Sequence, residues 1–274
     1  MSESPIASSE LPALAVIPAR YGSTRFPGKP LANKTGKYLI QHVVERVRLA
    51  RAVGQIVVAT DDPRVYEAVC SFGGRALMTR ADHPNGTSRI AEAVTALEQS
   101  LPKGAVPEVV VNVQGDEPEV EPGVIDALIA GLRADPEAPM ATLASAFAAD
   151  EDPADPNIVK LVATSGPRPR ALYFSRAIIP FDRDHRGVQP LKHPGLYAYR
   201  RSFLPRYVAL PATPLEQAEQ LEQLRALEHG CAIAVVRADV AYHGIDTPGQ
   251  YEEFVRRCAA RGTPGARGLA PGFT

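Results

Sequence analysis

Three cations stand close together near the start of the chain. Arg20, Arg25 and Lys29 fall within the run V-I-P-A-R-Y-G-S-T-R-F-P-G-K-P-L that begins at Val16. Gly22, Ser23 and Gly28 lie among them, and the glycines allow the backbone to approach a ligand closely. Clustered positive charge with accessible backbone N–H groups suits a polyanion, and a nucleoside triphosphate is the leading candidate. The plainer alternative is a solvated loop, because glycine and a surface arginine are common between strands and helices. The loop is not a Walker motif: five residues separate Gly22 from Gly28, and Lys29 is followed by Pro30. No G-x-G-x-x-G follows the strand, which disfavours a nicotinamide dehydrogenase.

Two acidic turns complete this chemistry. An apolar run from Val109 leads into Gln114-Gly115-Asp116-Glu117-Pro118, and Gly244-Ile245-Asp246-Thr247 precedes a helical pattern. Mg²⁺ takes one or two carboxylates together with phosphate oxygens, so Asp116 and Asp246 are candidate metal ligands. Asp116 could instead cap the next helix. At the second turn Thr247 is the better placed cap, which frees Asp246.

Two further stretches read as substrate contacts. Arg80, Asn85, Gly86 and Thr87 lie in R-A-D-H-P-N-G-T-S-R (from Arg80), where small polar groups at a helix start suit a pyrimidine edge and ribose hydroxyls. In isolation the same stretch is an ordinary turn with an N-cap. Arg176, His193 and Tyr197 come from a later, strand-rich part and suit a carboxylate or sugar hydroxyls, although a lone His or Tyr is more often structural. Glu222 and Gln223 sit on an expected helix, whose charged residues usually face solvent.

The elements that must carry these residues follow from periodicity. Apolar runs at 14–17, 55–59, 75–78 and 108–113 read as strands. Amphipathic spacing over 38–50, and around Val65, Ile90 and Ile125, reads as helices between them. Strands alternating with helices mean a mostly parallel central sheet flanked by helices, an α/β fold. Beyond about Asp135 the pattern changes. Strand-like runs at 140–146, 158–164, 170–174 and 195–200 are separated by Asp-Pro and Gly-rich turns, giving an antiparallel excursion. Residues 216–229 return to helix, 232–237 form a strand, and Thr247-Pro-Gly-Gln250 is a capping box for a last helix. We therefore expect a disordered extension over 1–12, one domain over 13–261 and a flexible tail over 262–274. Within the domain, 13–135 and 214–261 form the nucleotide- and metal-binding core, and 136–213 the acceptor part, to which the resemblance given below adds the dimer contacts.

The 274-residue chain carries a formal net charge of -1, which gives no support to a nucleic-acid or anionic-membrane partner. No apolar stretch reaches the roughly 18 to 20 residues of a membrane span, and residues 1–10 lack the features of a signal peptide. A cytoplasmic location is expected. Cys70, Cys231 and Cys258 fit neither a disulfide framework nor a metal site, and Cys70 and Cys258 read as small buried apolar residues on helices.

With these residues in view, the chain resembles the 3-deoxy-manno-octulosonate (Kdo) cytidylyltransferases of lipopolysaccharide biosynthesis. The resemblance rests on I-P-A-R-Y-G-S-T-R-F-P-G-K-P-L (from Ile17), V-A-T-D-D (Val58), M-T-R-A-D-H (Met78), V-N-V-Q-G-D-E-P (Val111), A-L-Y-F-S-R-A-I-I-P-F-D-R-D (Ala171), L-E-Q-L-R (Leu221) and G-I-D-T-P (Gly244). It implies a nucleotide-diphospho-sugar transferase-like fold, a homodimer, and a Mg²⁺-dependent reaction of CTP with Kdo to give CMP-Kdo and pyrophosphate. It also implies triphosphate binding by Arg20, Arg25 and Lys29 and magnesium on Asp116 and Asp246. Gln114, Arg176, His193, Tyr197, Glu222 and Gln223 would then surround the sugar acid. The chain departs from the family's usual motifs at Asn85-Gly-Thr-Ser88-Arg89, at His193-Pro-Gly-Leu-Tyr-Ala-Tyr199 and at Phe181. Rival readings are transfer to a Kdo variant, to sialic acid or to an alditol phosphate, and a non-catalytic nucleotide-binding module.

Overall fold

A computed structural model of the chain describes residues 12–238 and 244–262. The expected extension and tail, Pro12 and Gly262 apart, lie outside the described residues. The opening half alternates strands and helices as its periodicity requires: β1 (Ala13–Pro18), α1 (Leu39–Val47), β2 (Val53–Thr60), α2 (Pro63–Ser71), β3 (Ala76–Met78), α3 (Gly86–Ser100), β4 (Val109–Asn112) and α4 (Pro122–Ala134). Then come β5 (Met140–Ala146), β6 (Lys160–Ala163), β7 (Ala171–Ser175), β8 (Leu191–Lys192) and β9 (Tyr197–Arg200). The chain closes with α5 (Leu204–Ala209), α6 (Pro214–Glu219), α7 (Gln223–Glu228), β10 (Ile233–Arg237) and α8 (Pro248–Gly262).

The strands form one sheet in the order β3-β2-β1-β4-β9-β5-β8-β6-β7, with β10 also paired to β5. β1 is parallel to β2 and β4, β2 to β3, and β5 to β10. β9 runs against both β4 and β5, and beyond β5 the strands β8, β6 and β7 pair antiparallel in turn. That reversal sets Tyr197 between Asn112 and Thr142, at the end of the sheet where β4 and β5 finish. Successive residues of β1 serve opposite layers, as side-chain alternation requires. Ala13, Ala15 and Ile17 join the core under α1 and α4, and Leu14 and Val16 join the core under α3 and α5.

Two expectations need correction. The helix read over 216–229 is two short helices, because Gln220 takes a left-handed conformation (φ 53°) and Leu221 N–H turns back to the Glu216 carbonyl. The break places Glu222 and Gln223 at the start of α7. Cys70 is exposed on α2, not buried. The short β8 and α5 are additions that periodicity did not disclose.

Candidate functional site

The cationic loop is held shut by its own backbone. The Tyr21 carbonyl accepts from the N–H groups of Ser23 and Gly28, both at 3.0 Å. Gly28 has φ 69°, and a Cβ there would meet the Tyr21 ring at 3.1 Å, so glycine is needed twice over. The Arg64 guanidinium lies over that ring, 3.5 Å from the centroid. Phe26 anchors the loop from the opposite side, packing on Tyr251 of α8 at 5.6 Å between ring centres. Gly28 then starts a 3₁₀ turn over Lys29–Leu31 that sends the Lys29 side chain inward.

There it meets both acidic turns. Lys29 Nζ donates to Asp116 Oδ2 at 2.7 Å, to the Ile245 carbonyl at 2.8 Å and to Asp246 Oδ1 at 3.3 Å. Arg25 adds a bond to Asp246 Oδ2 at 3.1 Å. A backbone bond from Ile245 N–H to the Asp116 carbonyl, at 3.0 Å, ties the two turns directly. Asp116 therefore is not a helix cap. Thr247 is one, exchanging bonds with Gln250 in a capping box that leaves the Asp246 carboxylate facing the loop. Gly115 lets the turn after β4 come this close, since a Cβ would lie 2.8 Å from the Pro18 carbonyl oxygen. Ala19, Arg20, Gly22, Ser23, Arg25, Lys29, Gly115, Asp116 and Asp246 line a hollow of about 260 Å³.

Arg20 also borders a second hollow of about 120 Å³, shared with Pro18, His83, Asn85, Gly86 and Arg89. Here the plain reading of Asn85 holds, because its side chain caps α3 by accepting from Ser88 N–H at 2.9 Å. Arg89 is buried and tied to Asp61 at 3.0 Å and Thr79 at 2.6 Å, bracing the wall. Arg80 is exposed beside Asp82 and Glu92 and lines neither hollow. Thr87 turns the other way. Its hydroxyl donates to Glu222 Oε2 at 3.2 Å, which groups it with the candidate acceptor contacts instead of the nucleotide contacts.

Those residues are brought together only in part. His193 packs edge-on between Phe174 and Tyr197, at 4.9 and 5.3 Å. Burial pushes its pKa down to about 3, so the ring is neutral at physiological pH and suits hydroxyls, not a carboxylate. The Thr142 hydroxyl spends its one proton on the Leu196 carbonyl at 2.8 Å, and so accepts from His193 Nε2 at 2.8 Å. That leaves Nδ1 as an acceptor. Tyr197 stacks on Tyr199 at 5.9 Å, and Thr87 and Asn112 lie beside the Tyr199 hydroxyl. Burial holds the Glu222 carboxyl above the usual range. Gln223 is buried, and Gln114 is half-buried beside the Asp116 turn. Arg176 spends all three guanidinium nitrogens on the carbonyls of Glu219, Pro156 and Gln220, and acts as a strut. Sequence reasoning missed Thr142, Asn112 and Tyr199, whose roles come from sheet register, and Phe26, whose partner is remote in the chain.

A closed cationic loop facing two carboxylates at the end of a mostly parallel sheet defines the class: a nucleotidyltransferase. Residues 14–234 match the family model for cytidylyltransferase. The 3-deoxy-manno-octulosonate cytidylyltransferase of Syntrophobacter fumaroxidans is 51% identical, over 88% of this chain and 95% of its own length. Its counterpart in Syntrophotalea carbinolica is 48% identical over the same shares. A solved CMP:2-keto-3-deoxy-manno-octonic acid synthetase complexed with CTP superposes with a TM-score of 0.82 at 44% identity, covering 91% of this chain and 99% of that one. The chain belongs to the cytidylyltransferase family and, within it, to the 3-deoxy-manno-octulosonate cytidylyltransferases.

Proposed function

We propose that the protein transfers CMP from CTP to the anomeric C2 hydroxyl of Kdo, releasing pyrophosphate, and that it uses Mg²⁺. The observation that carries this reading is the convergence of Asp116 and Asp246 on one cation beside Arg20 and Arg25. Two carboxylates and a backbone carbonyl are ligands of the hard oxygen type that Mg²⁺ takes, and a substrate phosphate would complete its shell. Asp116 and Asp246 would hold the ion, which when bound lowers the pKa of an attacking hydroxyl and neutralises phosphate charge.

The chain's own residues position the partners. Arg20, Arg25 and Lys29 surround the departing pyrophosphate, and their charge offsets what builds up as the α-phosphorus bond breaks. The hollow between Arg20 and Gly86 receives the nucleoside. His193 Nδ1 and Tyr197 offer hydroxyl contacts to the sugar acid, in line with the α-phosphorus. No side chain is placed as a general base. In this reading 13–135 and 214–261 hold nucleotide and metal, and 136–213 supply the acceptor.

The same part supports a homodimer. β7 is a sheet edge, and Leu172, Ile178, Val188 and Phe181 (86% exposed) leave apolar surface around it. Light scattering should show a dimer that Phe181→Glu weakens. No helix of the described residues is long and apolar enough to cross a membrane, and we place the reaction in the cytoplasm. Pyrophosphate release tests the activity: CTP with Kdo should exceed the other nucleotides and other sugar acids, and release only with sialic acid or an alditol phosphate overturns the acceptor.

A further inference from the structure

Lys29 carries its ammonium into the gap between the two carboxylates, not out among the arginines. An ammonium has three donors, and here each meets an oxygen: Asp116 Oδ2, the Ile245 carbonyl and Asp246 Oδ1. The Lys29 side chain is only 13% exposed, so water screens these bonds weakly. The same oxygens are what a divalent ion would need. Among the described residues no group of three or more His, Cys, Asp and Glu side chains could hold a metal, so the protein offers Mg²⁺ too few ligands to strip its waters unaided.

We propose that the Lys29 ammonium keeps the divalent site closed in the resting protein, so that the metal enters only together with the nucleotide. The proposal rests on the metal reading above and deepens it. A divalent ion arriving alone must displace a cation already paired with both carboxylates. A triphosphate removes that obstacle in two ways. Its oxygens supply the ion's missing ligands, and they give the ammonium a new partner in the hollow that Lys29 shares with Arg20 and Arg25. A lysine suits this exchange because its charge is a point on a flexible stem, whereas a planar guanidinium would need a fixed fork of acceptors. Until then the ammonium keeps Asp116 and Asp246 from repelling each other.

Mn²⁺ serves as the probe, its free concentration read by electron paramagnetic resonance with full-length protein and no nucleotide. The wild type should show no saturable binding below about 1 mM, and Lys29→Met should bind at least about tenfold tighter. Melting should agree: in EDTA, Lys29→Met melts below the wild type, and Mg²⁺ alone raises its midpoint. The wild-type midpoint should move with Mg²⁺ only when CTP is present. Saturable sub-millimolar Mn²⁺ binding by the wild type without nucleotide overturns the proposal while leaving the metal reading intact. No gain in Lys29→Met also overturns it. If that variant does not fold, the wild-type titration alone decides. A wild-type midpoint that responds to CTP but never to Mg²⁺ sinks the metal reading and this proposal together.

Discussion

Lys29, Arg25, Asp116 and Asp246 balance one another's charge in partly open space, with Arg25 67% and Asp246 45% exposed. His193, Tyr197, Tyr199 and Glu222, at the other side of β4, are instead drawn toward their neutral forms by being taken out of water. The outer pair, Arg25 and Asp246, lies near solvent and can exchange partners at low cost, whereas Lys29, 13% exposed, needs a replacement partner before it leaves its carboxylates. Groups stripped of water present fixed hydrogen-bonding patterns, which suits a hydroxyl-rich acceptor. The two groups thus rest on different electrostatics, paired charge on one side of β4 and desolvated groups on the other.

The sharpest way to break this contrast is Asp116→Ala. Turnover should fall about a thousandfold or more, with the circular dichroism spectrum and melting midpoint preserved. A near-normal rate would take Asp116 out of the mechanism. Gly115→Ala is the next largest: its Cβ would press on the Pro18 carbonyl, and the shift should lower kcat by about a hundredfold. Thr87→Val probes the other side. Removing the hydroxyl that donates to Glu222 should raise the KM for the acceptor about tenfold and leave that for CTP within about twofold. An equal rise in both would return Thr87 to the nucleotide site.

The smallest effect is thermodynamic and concerns His193. Its folded pKa of about 3 lies below the unfolded value of about 6.5. Below pH 6.5 the unfolded chain takes up a proton that the folded one refuses, so stability declines as pH falls toward 3. The slope from this group approaches about 1.4 kcal/mol per pH unit. Urea unfolding at pH 7, 5.5 and 4.5 should show that decline in the wild type and a shallower one in His193→Asn. Parallel curves would mean that the ring titrates freely.

The charged half of the site was legible because its logic is local. Arg20, Arg25, Lys29 and Asp116 each follow a buried strand, and Thr247 at the head of a capping box freed Asp246. The sheet alternation around β1 to β4 was equally plain from apolar spacing. What joins Asp116 to Asp246 was not, since a backbone bond between residues 116 and 245 leaves no mark in composition. The acceptor half resisted for a related reason. His193 read equally as a contact for a carboxylate or for hydroxyls, because Phe174, Thr142 and Tyr197 surround it only once β9 has reversed. Arg176 looked available because carbonyls that would engage it lie some forty residues away. The single helix over 216–229 failed at Gln220, where one left-handed residue outweighed a run of good helix formers.

β9 is inserted between β4 and β5, with its bonds shared between the two. A segment wedged there cannot be transplanted as a cassette. Cutting out the stretch that ends at Arg200 would leave β4 and β5 with bare edges in the middle of the molecule, and a donor's version would have to fit both flanks at once. Under the proposed function, swapping acceptor preference between relatives therefore calls for point changes around His193 and Tyr197 on an intact scaffold.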